Sequence, residues 1–170
     1  MSELTRNKVL QSGVGFMTSS KLGAFASEFP HSIVTYDFGS ALADETVLTF
    51  GMALFRDPTN QGAGAWLTDQ TYTSFIGILP YNNNGIIEND GYAKGGLYNN
   101  VPVLEFGKIR VQTYSTSEGA IVKGDSIYWD VADKKFTKTS SGNIDMSAVV
   151  EVAEGRDENN MILISLKQYV

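Results

Sequence analysis

The chain of 170 residues has no cysteine, a single histidine, and no apolar run approaching the 18 or so residues of a membrane span. Each absence removes a class. Without thiols there are no disulfides and no thiolate metal sites, so stability has to come from core burial or association. One histidine, His31, cannot assemble a zinc site. Its immediate neighbour is Ser32, whose side chain points the other way in a strand, and no G-x-S-x-G elbow occurs, so a Ser-His-Asp arrangement is not supported. His31 reads as a turn residue leading into a strand. The N-terminus MSELTRNKVLQSG lacks the long apolar core of a signal peptide, which predicts a soluble protein made in the cytosol.

A basic face is also missing. The formal charge is −6, which argues against a nucleic-acid partner because phosphate binding needs cations. Helical periodicity is scarce as well: no long window places apolar residues at i, i+3, i+4 and i+7 between caps. Thr, Val, Ile, Tyr and Phe instead recur in short runs, and the 17 glycines fit a chain with many turns. The class predicted is all-β, an antiparallel barrel or jelly-roll-like fold with an extended N-terminal arm.

The strands can be placed. Ile33 to Phe38 puts Val34, Tyr36 and Phe38 on one face, TVLTFGMALFRD follows a turn and stops at Pro58, and YTSFIGIL stops at Pro80. Within VPVLEFGKIRV the apolar residues change parity, and Gly107 marks a bulge where the facing switches. In VKGDSIYWD, Gly124 and Asp125 make a tight structural turn that feeds Ile127, Trp129 and Val131. Met146, Ala148, Val150 and Val152 then alternate, as do Ile162, Ile164 and Leu166, and the short polar turns predict a meander closed into a barrel. Residues 31–170 form the β-rich body, of which 101–170 is a compact C-terminal β-barrel portion.

Residues 1–30 read as an arm. Over residues 1–35, Arg6, Lys8 and Lys21 against Glu3 and Glu28 give +1, leaving −7 on the remainder. Leu4, Val9, Leu10, Val14, Phe16 and Met17 are too apolar for a solvated tail, so the arm is expected to lie on another surface. A second irregular stretch, YNNNGIIENDGYAKGGLYNN, holds seven Asn or Asp and four Gly and reads as an exposed excursion. Tyr72, Phe75, Tyr81, Tyr92 and Tyr98 surround it, and Tyr92 and Tyr98 are the expected subunit or tip contacts.

No motif supplies chemistry. Gly13-Val14-Gly15 and Gly62-Ala63-Gly64 lack the third glycine or the Lys-Ser/Thr of a phosphate loop. Asp125, Asp130 and Asp133 cluster around one hairpin, but turn positions account for them better than a catalytic carboxylate pair. Asn82, Asn83, Asn84, Glu88, Asn89 and Asp90 could offer oxygen ligands to calcium, without EF-hand spacing, and turn-making explains the same residues. No cofactor is expected.

The order of these features resembles the structural cement, or capsid decoration, proteins of tailed bacteriophages. The resemblance runs over about residues 28 to 167. It is carried by FPHSIVTYDFGSALADETVLTFGMALFRD, SFIGIL, GGLYNNVPVLEFGKIRV, VKGDSIYWDVADKKFTKTSSGN and the closing strand MILISLK. It implies a virion protein without enzymatic activity on the outer face of the head, bound to the major capsid protein. A homo-oligomer, trimer before dimer, and no nucleic-acid or membrane partner are implied too. The residues that carry over are Val122, Lys123, Gly124 and Asp125, the Val101-Pro102-Val103 run, Phe136 and Thr137, and Gly142 and Asn143, all structural. TNQGAGAWLTDQ and YNNNGIIENDG depart from the family pattern by being longer and more polar. The alternative is a glycan-binding β-sandwich surface module using Trp66 and the loop tyrosines.

Overall fold

A computed structural model describes residues 22–24, 30–39, 47–56, 71–81, 91–93, 100–114 and 118–167. The fold is all-β, a curled antiparallel half-barrel sheet with almost no helix among the described residues. Its strands are β1 (Ser32–Asp37), β2 (Val47–Thr49), β3 (Ala53–Phe55), β4 (Phe75–Ile78), β5 (Gly91–Ala93), β6 (Asn100–Gln112), β7 (Tyr128–Asp130), β8 (Lys135–Thr137), β9 (Ile144–Asp145), β10 (Val150–Glu154) and β11 (Met161–Leu166). One short 3-10 turn, Tyr72–Ser74, leads into β4.

The thirteen residues of β6 are the spine. The large sheet runs β10-β11-β6-β4-β3, and β1 also pairs with β6. Two small sheets, β2-β5 and β8-β7-β9, complete the described strands. The expected meander therefore holds only in part: β7 pairs with β8 and β10 with β11 as local hairpins, and β3 pairs with β4 across a longer connection. Between them β6 brings together strands from both ends of the chain, because its alternating Val101, Val103, Ile109 and Val111 are all fully buried and need cover along their whole length.

The bulge expected at Gly107 sits two residues earlier. Ser32 opposes Phe106 and Ile33 opposes Leu104, which leaves Glu105 as the extra residue. Gly107 marks instead the change of partner from β1 to β11, at φ 131, and a Cβ there would stand 3.0 Å from the His31 Cβ. TVLTFGMALFRD also breaks in two, β2 and β3, about the turn at Phe50 and Gly51.

Two further expectations change. Val131 lies in the turn after β7 rather than in the strand, because the Asp130 carboxylate accepts from the Ala132 and Asp133 amides, at 2.8 and 3.1 Å, and closes an Asx-turn. The Met146 to Val152 alternation fails at its start. Val149 and Val150 both donate to the Met146 carbonyl at 2.9 Å, a tight turn that buries Val149 and exposes Ala148. Asp145 initiates it by accepting from the Ser147 amide.

One continuous core joins the large sheet to the β8-β7-β9 sheet. Trp129 lies against Phe136 edge-on with ring centroids 5.0 Å apart, both fully buried. Each such side chain contributes about 1.5–3 kcal/mol on burial, which is how three very short strands stay attached.

Candidate functional site

Of the residues that the sequence singled out for contact, Leu4, Val9, Leu10, Val14, Phe16, Met17, Tyr98 and Trp66 lie outside the described residues. So does most of the Asn/Asp/Gly excursion. Tyr92 is described, and it lies inside: it is 8% exposed on β5 and meets the Phe50 ring edge-on at 6.3 Å. That ring packs in the core, where the sequence reading expected a subunit or tip contact.

Gly124 and Asp125 occupy a turn at the surface. Gly124 has φ 86, the left-handed region that glycine enters without a Cβ penalty. The Asp125 carboxylate accepts from the Val122 amide at 3.0 Å and from the Lys138 ammonium at 2.8 Å. Those two hydrogen bonds, Lys138 first, hold its carboxyl below the usual range. The corner is pinned to β10 by the Gly124 amide, which donates to the Val152 carbonyl at 3.0 Å.

The segment 22–24, assigned to the arm from sequence, is built into the body. Gly23 donates to the Arg110 carbonyl at 2.9 Å, Arg110 donates to the Ala24 carbonyl at 3.0 Å, and Tyr81 donates to the Gly23 carbonyl at 2.7 Å. These three bonds stitch the second half of β6 to the chain following β4. Gly23 has φ 75, and a Cβ on it would stand 2.9 Å from Gly51 N, Phe50 Cβ and Tyr81 N.

The surface around β1 was not foreseen. Val34, Tyr36 and Phe38 share a face in sequence, which reads as core, but only Phe38 is buried. Ile33 and Val34 are 42% and 39% exposed. Beside the strand lies a groove of about 330 Å³ lined by Ser32, Tyr36, Arg56, Phe75, Ile76, Glu105, Phe106 and Lys167. The Tyr36 hydroxyl donates to Glu105 across β1 and β6. Burial and then this carboxylate raise the phenol's pKa, so it stays protonated well into alkali.

Two acidic side chains of the β7–β8 hairpin have structural partners. The Tyr114 hydroxyl lies 2.7 Å from Asp130 Oδ2 and 2.5 Å from Asp133 Oδ2, and Asp130 Oδ1 closes the turn after β7. Among the described residues no group of three or more His, Asp or Glu side chains could hold a metal ion. None of their helices is long and apolar enough to cross a membrane.

Two arginines missed by sequence reasoning tie the C-terminal loops together. Arg110 reaches Glu154 and Asp157, each at 3.3 Å. Arg156 donates to the Gly119 carbonyl at 2.8 Å, to Thr113 Oγ1 at 3.2 Å and to Glu118 at 3.3 Å, and Glu118 also accepts from the Thr137 hydroxyl. EGRDENN reads as a polar turn, and nothing local signals that its arginine points inward. All of these side chains make scaffold, turn or surface, and none forms a recessed reactive centre.

The model of the phage cement family, described as structural cement protein (E217 gp24/Pam3 gp6), matches residues 10–167. The chain belongs to that family. It is a capsid-decorating structural protein. A chain in the solved structure "The capsid of Myoviridae Phage XM1" shares the fold at TM-score 0.69 and 19% identity, covering 89% of this chain and 92% of that one. No match is found among curated proteins. The family match covers the whole region that carried the sequence resemblance, including both irregular stretches.

Proposed function

We propose that this cement protein acts without catalysis, sitting on the outer surface of a tailed-phage head and bridging neighbouring copies of the major capsid protein. The family match over residues 10–167 carries this proposal. A β-rich body with an apolar N-terminal segment suits linkage: a subunit that binds only the assembled shell stabilises that state by its binding free energy. At a free concentration of 100 times Kd, each site adds about 2.7 kcal/mol to shell stability. If the protein is itself an oligomer, trimer before dimer, several weak contacts act together. The arm residues Leu4, Val9, Leu10, Val14, Phe16 and Met17 are the proposed capsid or subunit contacts, with Tyr98 as a further contact in the loop.

Purified protein added to empty heads is expected to bind saturably and to raise their disruption temperature. Heads that gain neither bound protein nor thermal resistance would remove the cementing role. One observation favours a second activity, glycan binding. Tyr72 is 41% exposed and lines an open groove of about 380 Å³ with Thr71, Val131, Asn143 and Asp145. An aromatic face beside planar polar groups suits a sugar ring. Retention on a polysaccharide column that Tyr72→Ala abolishes would establish it.

A further inference from the structure

We propose that β1 is the edge by which copies of this chain join one another on the head, pairing antiparallel with β1 of a second copy about a two-fold axis through Val34. The pairing goes beyond capsid binding, and it rests on the cementing role for bringing copies side by side. Among the described strands β1 pairs only with β6, and five of its six residues are exposed. Edge strands are ordinarily guarded by lysine, proline or a covering loop. Ser32–Asp37 contains neither lysine nor proline. It carries two of the four large apolar side chains exposed among the described residues, Ile33 on one face and Val34 on the other. An edge that is apolar on both faces suits the inside of a continuous sheet.

The sequence of β1 fits itself. Facing residues of an antiparallel pair turn their main-chain groups both toward each other or both away, so a two-fold axis runs through a residue pair and never between two pairs. For a six-residue strand the central choices are Val34 and Thr35. About Val34, valine meets valine, Ile33 lies opposite Thr35 and Ser32 opposite Tyr36. The strand's one acidic residue, Asp37, then lies past the end of its partner, so no like charges face each other. About Thr35, Asp37 would lie opposite Ile33 and lose hydration against an apolar side chain. The Val34 register carries no such cost. The contact is small, at most six residues per copy against about 20–30 a side in a standing interface. Two free copies of charge −6 also repel each other. Pairing therefore needs copies held together by the shell, where each filled site favours the filling of its neighbour.

The absence of cysteine makes this register directly testable. Across a two-fold axis through Val34 the facing Cα atoms stand about 4.5–5.5 Å apart, within reach of a disulfide, whereas the two copies of position 35 stand about 8 Å apart, beyond it. Full-length Val34→Cys and Thr35→Cys, both at exposed positions, are bound to empty heads of the cognate capsid protein and oxidised, and covalent dimer is read on non-reducing gels. Val34→Cys is expected to give about tenfold more dimer than Thr35→Cys, or better. In parallel, hydrogen exchange of amides 32–37 is followed in the wild-type chain, free and dilute, on heads carrying a few copies, and on saturated heads. Slowing is expected only at saturation. The pairing is overturned if bound Val34→Cys gives no dimer, or if Thr35→Cys gives as much. It is overturned too if the wild-type amides are already slow on sparsely filled heads, which would place capsid protein on the edge. Slow amides in the free chain, which would place its own N-terminal segment or a preformed dimer there, and amides that stay fast at saturation overturn it equally. Wild type that binds no heads would overturn the cementing role, and pairing on the shell with it. The exchange arm needs no variant, so misfolding of either substitution leaves the proposal open to refutation.

Discussion

Replacing Glu118 by leucine should destabilise this protein more than any exposed substitution, although the residue sits in an irregular connection. The Arg156 side chain is 5% exposed and that of Glu118 12%. Arg156 holds the loop before Ile121 to the end of β10, through Gly119, Thr113 and Glu118, and its own amide donates to the Ile121 carbonyl at 3.1 Å. Removing the carboxylate leaves a buried guanidinium with two neutral acceptors, and it frees the Thr137 hydroxyl. Breaking a buried pair from one side costs about 3–5 kcal/mol. The two surviving acceptors favour the lower end, about 3 kcal/mol, a large part of the 5–15 kcal/mol that holds a typical domain. At about 2–4 °C per kcal/mol for a chain of this size, Tm should fall by about 6–12 °C. The assay is a double-mutant cycle by calorimetry with Glu118→Leu, Arg156→Met and the pair. Apolar replacement of both partners is close to neutral in comparable sites, so the double variant should be more stable than either single one. A single-variant loss under 2 °C, or a double variant showing the sum of both losses, would refute this account of the clamp.

Three other outcomes follow from the geometry. Burial, then the hydrogen bonds to Asp133 and Asp130, raise the Tyr114 phenol well above its ordinary value. Its contribution is therefore complete below about pH 10 and lost as pH rises further, so Tyr114→Phe should flatten the alkaline limb of a stability–pH curve; an unchanged limb contradicts this. Alanine at Gly23 and at Gly124 should differ sharply, because both have positive φ but only Gly23 is crowded, at 2.9 Å by three atoms, with nothing within 4 Å of the other. Gly124→Ala should cost about 1–2 kcal/mol and Gly23→Ala clearly more, read as urea midpoints; equal losses would show that backbone strain alone matters. Deleting residues 2–20 should weaken head binding while leaving the circular dichroism spectrum intact, since the deletion spares Leu22 to Ala24 and their hydrogen bonds to Arg110 and Tyr81; a lost fold would place the deleted segment in the core.

Much of the scaffold is legible in the residues themselves. Period-two runs locate β4, β6 and β11, and Gly124-Asp125 and Asp130 announce turns through chemistry that acts over three or four residues. The candidate surface is not legible in this way. Val34 and Tyr36 alternate as a core face would, because alternation reports that one side differs from the other and not which neighbour covers it. Whether a strand is central or at an edge depends on pairing partners some 70 residues away, as with Tyr36 and Glu105. The inward turn of Arg156 depends on a loop 38 residues earlier in the chain.

Sequence alone determined the all-β class, the lack of thiol chemistry, the acidic body with its apolar beginning, and the family. All of these rest on local pattern, composition and the order of motifs. Tertiary structure decided that β6 is the spine, that Tyr92 is buried while Ile33 and Val34 are not, that Leu22 to Ala24 belong to the wall, and that two arginines lock the C-terminal loops. The physical reason is that burial and pairing are properties of long-range contacts. A strand's own residues say that it has two faces, and only the folded chain says which of them still lacks a partner.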